Sequence, residues 1–229
     1  MSGCCATLAG QFDADRVARE RAAREKRGPG RTTAKLIDLL GSDVVADVPI
    51  DGATLLDIGA GFGDIQTALF PRGLASSTHV EASEAYSAAA RELAGREAWA
   101  ERARYVVGDF VQASDELPEA DIVTLDRTVC CYPDMPGLLD RSAERARALY
   151  AISAPRDAWF VRAAIGLENL TRRLRKDPFR TFIHSWKAMD DRLRGLGLMR
   201  VAESGTIVWR IALYRRCARQ VAPARTGVD

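Results

Sequence analysis

The sequence predicts an α/β fold, a mostly parallel seven-stranded sheet with helices on both faces and one antiparallel strand from a C-terminal hairpin. Three observations predict it. Short apolar runs alternate with amphipathic stretches through the middle of the chain, the pattern of successive β-α-β units. The runs lack polar alternation, as strands buried on both faces require. Near the end the alternation stops, and two strand-like runs meet around Ser204-Gly205, which reads as a hairpin turn. With 229 residues, 47% of them hydrophobic, the chain can bury one sizeable core.

Each element has its own signal. Residues 13–27 read as a charged helix with a thin apolar stripe, Val17, Ala18 and Ala22, broken by Gly28-Pro29-Gly30. Thr32 or Thr33 is placed to cap the next helix, which buries Leu36, Ile37, Leu39 and Leu40. Thr54-Leu55-Leu56 is a first strand ending at a glycine loop, and Asp64–Leu69 a helix opening behind it. Thr78-His79-Val80 is a second strand ended by Glu81, followed by a helix from Ser83, its N-cap, to Leu93. Arg104–Val107 is a third strand, ended by Gly108-Asp109-Phe110; Ile122–Leu125 is a fourth, ended by Asp126. After an irregular Cys-Cys-Tyr-Pro-Asp-Met-Pro loop come a helix over about Leu138–Arg147 and a fifth strand at Leu149–Ser153. A helix at Ser185–Arg194 and the runs Leu198–Ala202 and Ile207–Tyr214 close the fold. The organisation read from this is a helical leader or lid at 1–30, one domain at 31–217 with a lid insert at about 156–182, and a flexible tail at 218–229.

The formal charge of +2 gives no global argument for nucleic acid as a partner. Basic residues cluster early, from Arg16 to Arg27, and late, from Arg172 to Lys176, and such runs read first as solvated helix faces. The start MSGCCATLAGQFD has no signal-peptide pattern, and no stretch reaches the ~20 apolar residues of a membrane span. The expected location is cytoplasmic, with Cys4, Cys5, Cys130, Cys131 and Cys217 reduced.

The loop Asp57-Ile58-Gly59-Ala60-Gly61-Phe62-Gly63 carries the chemistry. Glycines between a strand and a helix let the backbone pass close to a ligand. The dinucleotide fingerprint G-x-G-x-x-G wants a third glycine where this chain has Asp64, an acid that would face a pyrophosphate. Asp57 suits a ligand bearing an ammonium group. The run TLLDIGAGFG resembles the first motif of class I S-adenosylmethionine-dependent methyltransferases, whose fold is Rossmann-like. Three further strand ends match that family in order. The resemblance implies that Glu81 binds the ribose hydroxyls, that Asp109 takes the adenine amine while Phe110 packs on the ring, and that Asp126 stands beside the methyl donor. It also implies that the terminal hairpin is the family's antiparallel strand. It covers roughly residues 30 to 216. The cofactor set is then Arg31, Asp57, Gly59, Gly61, Gly63, Glu81, Asp109, Phe110 and Asp126, with Arg31 holding the cofactor carboxylate or standing as a surface charge.

The acceptor side is less specified. No Asn/Asp-Pro-Pro-Tyr follows the fourth strand, which argues against a DNA adenine methyltransferase; the loop resembles small-molecule members and, faintly, the magnesium-protoporphyrin O-methyltransferase branch. The expected acceptor is a small molecule, in that branch carboxylate-bearing. His184, Tyr132 and Asp126 are the catalytic candidates, with helix capping the alternative for His184. Tyr86, Tyr132, Trp159 and Trp186 could line an apolar pocket or fill core. Arg162, Arg172, Arg173, Arg175 and Arg180 could hold an anionic group of the acceptor. Cys130, Cys131 and Cys217 read as buried inert thiols; no metal-ligand spacing is present, although Cys130 with the Cys4-Cys5 leader leaves a soft-metalloid substrate open. The other readings are a nicotinamide-dependent oxidoreductase and a cofactor-binding protein without catalysis.

Overall fold

The computed structural model describes residues 14–217. Seven strands form one sheet: β1 (Thr54–Ile58), β2 (Ser76–Glu81), β3 (Ala103–Val107), β4 (Ala120–Asp126), β5 (Ala146–Pro155), β6 (Leu198–Gly205) and β7 (Trp209–Arg216). Their order is β3-β2-β1-β4-β5-β7-β6. β1 to β5 pair in parallel, and β7 lies antiparallel to both β5 and β6. The helices are α1 (Ala14–Arg27), α2 (Arg31–Leu40), α3 (Asp64–Leu69), α4 (Glu84–Ala94), α5 (Phe110–Ala113), α6 (Met135–Glu144), α7 (Trp159–Leu174) and α8 (Trp186–Gly195). No helix among the described residues is long and apolar enough to cross a membrane.

Strand periodicity sorts the core into two layers. Leu56, Ile58, Val123, Leu125, Tyr150 and Ile152 face α6 and α8, burying Leu138, Leu139, Trp186, Met189 and Leu193. Leu55, Ile122, Leu149 and Leu213 face α2 and α3, burying Leu36, Leu40, Ile65 and Leu69. Burying each such side chain is worth about 1.5–3 kcal/mol. The parallel strands lead every β1–β4 C-terminus to one edge, where ligands bind in such sheets. β7 starts there too, because Trp209 pairs with Pro155 at the end of β5.

Several elements differ from the sequence expectation. The turn between the last strands is Thr206-Ile207-Val208; Ser204 and Gly205 belong to β6, since both still pair with β7, Ser204 with Ile211 and Gly205 with Arg210. α6 begins at Met135, because the Asp134 side chain accepts from Gly137 N at 3.1 Å and Pro136 suits a first turn. It ends at Glu144, since β5 starts at Ala146. Neither Thr32 nor Thr33 caps α2; Gly30 stands at its N-cap, and the Thr33 hydroxyl points elsewhere. Of the α1 stripe only Val17 is buried, against Tyr86 and Ala89, while Ala18 and Ala22 are exposed. Leu39 is only half-buried. Ser83 does cap α4, accepting from Tyr86 N.

Candidate active site

A cavity of about 490 Å³ opens at the carboxyl edge of the sheet, within the usual range for ligand pockets. Asp57 on β1, the Gly59–Phe62 loop, Glu81 on β2, Gly108–Phe110 after β3 and Asp126–Thr128 after β4 line one half. Cys130, Cys131, Tyr132, Pro155, Ile165, Glu168, Arg172, Phe179, Val208 and Trp209 line the other.

The glycine loop is held by its surroundings. Gly59 N and Ala60 N donate to Val80 O at 2.8 and 3.2 Å. Gly59 (φ +68) has Thr128 packed where a Cβ would stand, and the Thr128 hydroxyl donates to Ile58 O at 2.9 Å. Gly61 (φ +54) has nothing within 4 Å of its missing Cβ, so its backbone is open to an incoming group. Gly63 (φ +74) is buried behind the loop as the N-cap of α3 and takes no part in the cavity wall.

The acids of the strand ends are each positioned by named donors. The Glu81 carboxylate accepts from Gly61 N and Ser83 N, both at 2.9 Å, one on each oxygen, and burial pushes its pKa up. Asp57 is fully buried; burial raises its pKa to about 7 against the lowering effect of Thr124, whose hydroxyl donates to Oδ1 at 2.6 Å. Its Oδ2 has no hydrogen-bond partner among the described residues. Asp109 accepts from Val111 N at 3.0 Å, and the Tyr132 hydroxyl donates to it at 2.9 Å. Asp126 accepts from the hydroxyls of Ser153 and Thr33, the latter at 2.6 Å, with Arg127 Nε 3.6 Å away. Ser153 also accepts from Arg127 N at 2.8 Å, which fixes Arg127 in a left-handed conformation (φ +56) that a non-glycine residue holds at a cost.

The second half places the remaining candidates. His184 does not line the cavity: Nε2 lies 3.0 Å from Tyr132 O, the bond of an N–H donating to a carbonyl, and burial pushes its pKa down. Phe182 N donates to Cys130 O at 2.7 Å, so the 182–184 segment straps the 129–132 turn. Tyr132 lines the cavity with its hydroxyl committed to Asp109. Of the insert arginines only Arg172 reaches the cavity, held by Glu168 at 2.7 Å and Asp177 at 2.9 Å. Arg31 lies instead in an adjoining recess with Lys35 and Arg156, which meets the cavity only at Val208 and Trp209. Trp186 is core, donating to Pro155 O, and Trp159 is exposed. Cys130 is buried, its thiol raised by sharing a hydrogen bond with Cys131 and by burial; Cys131 lines the cavity half-buried and Cys217 is exposed. Cys4 and Cys5 fall outside the described residues. Sequence reasoning missed Glu20 and saw in Arg16 only a solvated charge, yet α1 brings both to the wall, where Glu20 accepts from Tyr86. Ser153 could have been found from topology, because it pairs with Asp126 across β4 and β5.

In all, seven carboxylates (Glu20, Asp57, Asp64, Glu81, Asp109, Asp126, Glu168) and three arginines line the cavity. That balance favours a ligand with positive charge over one with a pyrophosphate.

Residues 56–147 match the family model described as "Methyltransferase domain". No curated protein sequence matches the chain. Among solved structures, magnesium protoporphyrin IX methyltransferase from Synechocystis with bound S-adenosylhomocysteine is similar at a TM-score of 0.70 and 18% identity, covering 92% of this chain and 98% of that one. An O-methyltransferase family protein from Burkholderia thailandensis is similar at 0.68 and 15% identity, covering 92% of this chain and 62% of that one. An O-methyltransferase family 2 protein from Planctomyces limnophilus in complex with apigenin is similar at 0.64 and 16% identity, covering 90% and 62%.

Proposed function

We infer that this class I S-adenosylmethionine-dependent methyltransferase passes the methyl group to a small-molecule acceptor by in-line displacement, releasing S-adenosylhomocysteine. The observation that carries the reading is the convergence of Asp57, Glu81, Asp109 and Asp126, from four consecutive strands, on one cavity. The residues fit the cofactor. The Glu81 carboxylate, held on both oxygens by backbone N–H groups, stands in the cavity wall ready to accept from a ribose hydroxyl. Asp57 offers a buried Oδ2 without a partner among the described residues, suited to an ammonium group, and Gly61 leaves space at its missing Cβ. Asp109 and Phe110 are set to receive adenine by its amine and its ring face.

When bound, the cofactor supplies a methyl group already activated on a sulfonium. The chain's own work is then to hold the acceptor in line, which is worth about 7–11 kcal/mol of barrier. Asp126 is occupied by two hydroxyl donors, Tyr132 by Asp109 and His184 by a carbonyl, so we assign these residues to positioning rather than to proton removal. An acceptor oxygen that is already ionised, a carboxylate or phenolate, suits such a site. Ile165, Phe179, Val208 and Trp209 give its second half an apolar wall with Arg172 beside it, consistent with a flat apolar acceptor bearing an anionic group. The similar proteins named above include one that acts on a magnesium porphyrin and one that binds apigenin.

Calorimetry with S-adenosylmethionine, S-adenosylhomocysteine and NADH tests the cofactor reading. Micromolar binding of the first two, lost in Glu81→Ala, supports it; a preference for NADH overturns it. Methyl transfer to a panel of aromatic carboxylates and phenols then tests the acceptor reading, which fails if only amines are methylated.

A further inference from the structure

Helix α7 is amphipathic, and its polarity is inverted. At 100° per residue, Val161, Ile165, Glu168 and Arg172 share one side. That side meets the protein: Val161 is buried, and the other three line the cavity. The opposite sector, about 100° wide, carries Trp159, Phe160, Ala163, Leu167, Leu170 and Leu174. These face solvent, with Trp159 80%, Leu167 66% and Leu174 77% exposed. The helix is firmly docked in this orientation. Asn169 exchanges two hydrogen bonds with the Thr181 backbone, at 2.8 and 3.0 Å, and Arg172 is paired with Asp177. The contacts that fix the inner face therefore hold the apolar stripe outward.

A second feature lies nearby. The β6–β7 turn carries Ile207 at its middle, 78% exposed, which shares a recess with Arg31, Lys35 and Arg156 and with no carboxylate. Val208 and Trp209 belong both to that recess and to the main cavity, where Ile165 of α7 also stands. The exposed charges flanking the α7 stripe on one side are Arg162 and Arg173, and Arg175 and Lys176 follow its C-terminus. An apolar stripe of this extent, left open on a protein surface, marks an interaction site.

We propose that this face docks on an anionic lipid bilayer. Helix α7 lies in the plane of the interface with its stripe among the upper acyl chains, Ile207 enters beside it, and Arg31, Lys35, Arg156, Arg162 and Arg173 meet the headgroups. The charge selects this occupant. Around the stripe Arg162, Arg173, Arg175 and Lys176 outnumber the exposed acids Asp157 and Glu168, a cationic balance that suits a negative surface; a second copy packed on the stripe would set Arg162 and Arg173 against like charges. The proposal is independent of methyl transfer, since the outer face of α7 takes no part in the cavity.

Flotation of the full chain with phosphatidylcholine vesicles, with and without phosphatidylglycerol, tests it, alongside sedimentation velocity without lipid. The expected result is flotation with the anionic vesicles that weakens with added salt. Leu170→Ser and Leu174→Ser should each cut partitioning about tenfold. Arg162→Glu and Arg173→Glu should each cost about fivefold on anionic vesicles and little on neutral ones. All four should bind S-adenosylhomocysteine as the parent does, which shows that they are folded. Absence of flotation, or flotation unchanged in the leucine variants, overturns the proposal. A dimer that the leucine variants dissolve, without flotation, overturns it and assigns the stripe to a second copy.

Discussion

The two halves of the cavity are built on different principles. The half we assign to the cofactor is made of strand ends: Asp57, Glu81, Asp109 and Asp126 project from adjacent β-strands or the residues just after them, and backbone N–H groups or buried hydroxyls orient each carboxylate. The half we assign to the acceptor is made of connections: the 129–132 turn, the inner face of α7, residues 179–181 and the β6–β7 turn, tied together by the Arg172 ion pairs and by backbone bonds such as Phe182 N to Cys130 O. A rigid sheet edge suits a ligand that is always the same, and a set of connections suits one that differs between enzymes.

The sharpest way to break that contrast is to remove Glu81. Two charge-assisted hydrogen bonds to hydroxyls, at about 1.5–3 kcal/mol each, predict that Glu81→Ala weakens cofactor binding by about a hundredfold or more. Calorimetry measures it, with Glu81→Gln intermediate; an unchanged Kd would remove the strand ends from the cofactor site.

The next effect is a pH dependence of cofactor affinity. With its pKa at about 7, Asp57 holds a proton in the native state that the unfolded chain releases near the ordinary carboxylate value. Its contribution to stability is therefore greatest at low pH and is lost as pH rises from about 4 to about 7. A cation prefers the ionised form, so binding expels the proton, and affinity should rise by up to about tenfold per pH unit before levelling off near 7. Asp57→Asn should flatten the rise. His79, buried and held near 3 by burial, acts oppositely on stability, favouring the fold above about 6.5 and weakening it toward 3. It does not line the cavity, so affinity rather than melting temperature isolates Asp57.

Tyr132 sits at the seam of the two halves. Loss of its hydrogen bond to Asp109 in Tyr132→Phe should weaken cofactor binding about fivefold, the worth of one such bond. If only the acceptor KM moves, Tyr132 belongs to the other half. The smallest effect is expected at His184, where His184→Gln keeps a donor for Tyr132 O and should change kcat about twofold or less. A pH–rate profile that loses a limb in this variant would make His184 a proton acceptor after all.

The same contrast explains what the sequence disclosed. A parallel strand announces itself as an apolar run, and the residue that ends it is necessarily at the ligand edge; Glu81 and Asp126 could thus be placed from their local neighbours. Phe110 and Asp109 follow from the third strand in the same way. The acceptor half depends on contacts between distant segments. Nothing near His184 shows that it bonds the Tyr132 carbonyl, and nothing near Arg31 shows that Lys35 and Arg156 share its recess beside the cavity. The hairpin was legible and its turn was not, since Gly205 is a plausible turn residue that here pairs with Arg210 inside the ladder. Helix α7 has no counterpart in the sequence reading, where residues 156–182 stand only as a lid insert, and periodicity would in any case show that a helix has two faces but not which one the fold turns inward.

The position of β7 gives the molecule a timetable. Lying between β5 and β6, this strand joins them, yet it is the last of the seven to leave the ribosome. Until residues 209–216 emerge, β5 presents a bare edge to the nascent chain's surroundings, a template for wrong partners. The four acids of the cofactor half are by then already synthesised, whereas Val208 and Trp209 arrive with the closing strand. The half we assign to the cofactor is made early, and the wall we assign to the acceptor is finished last.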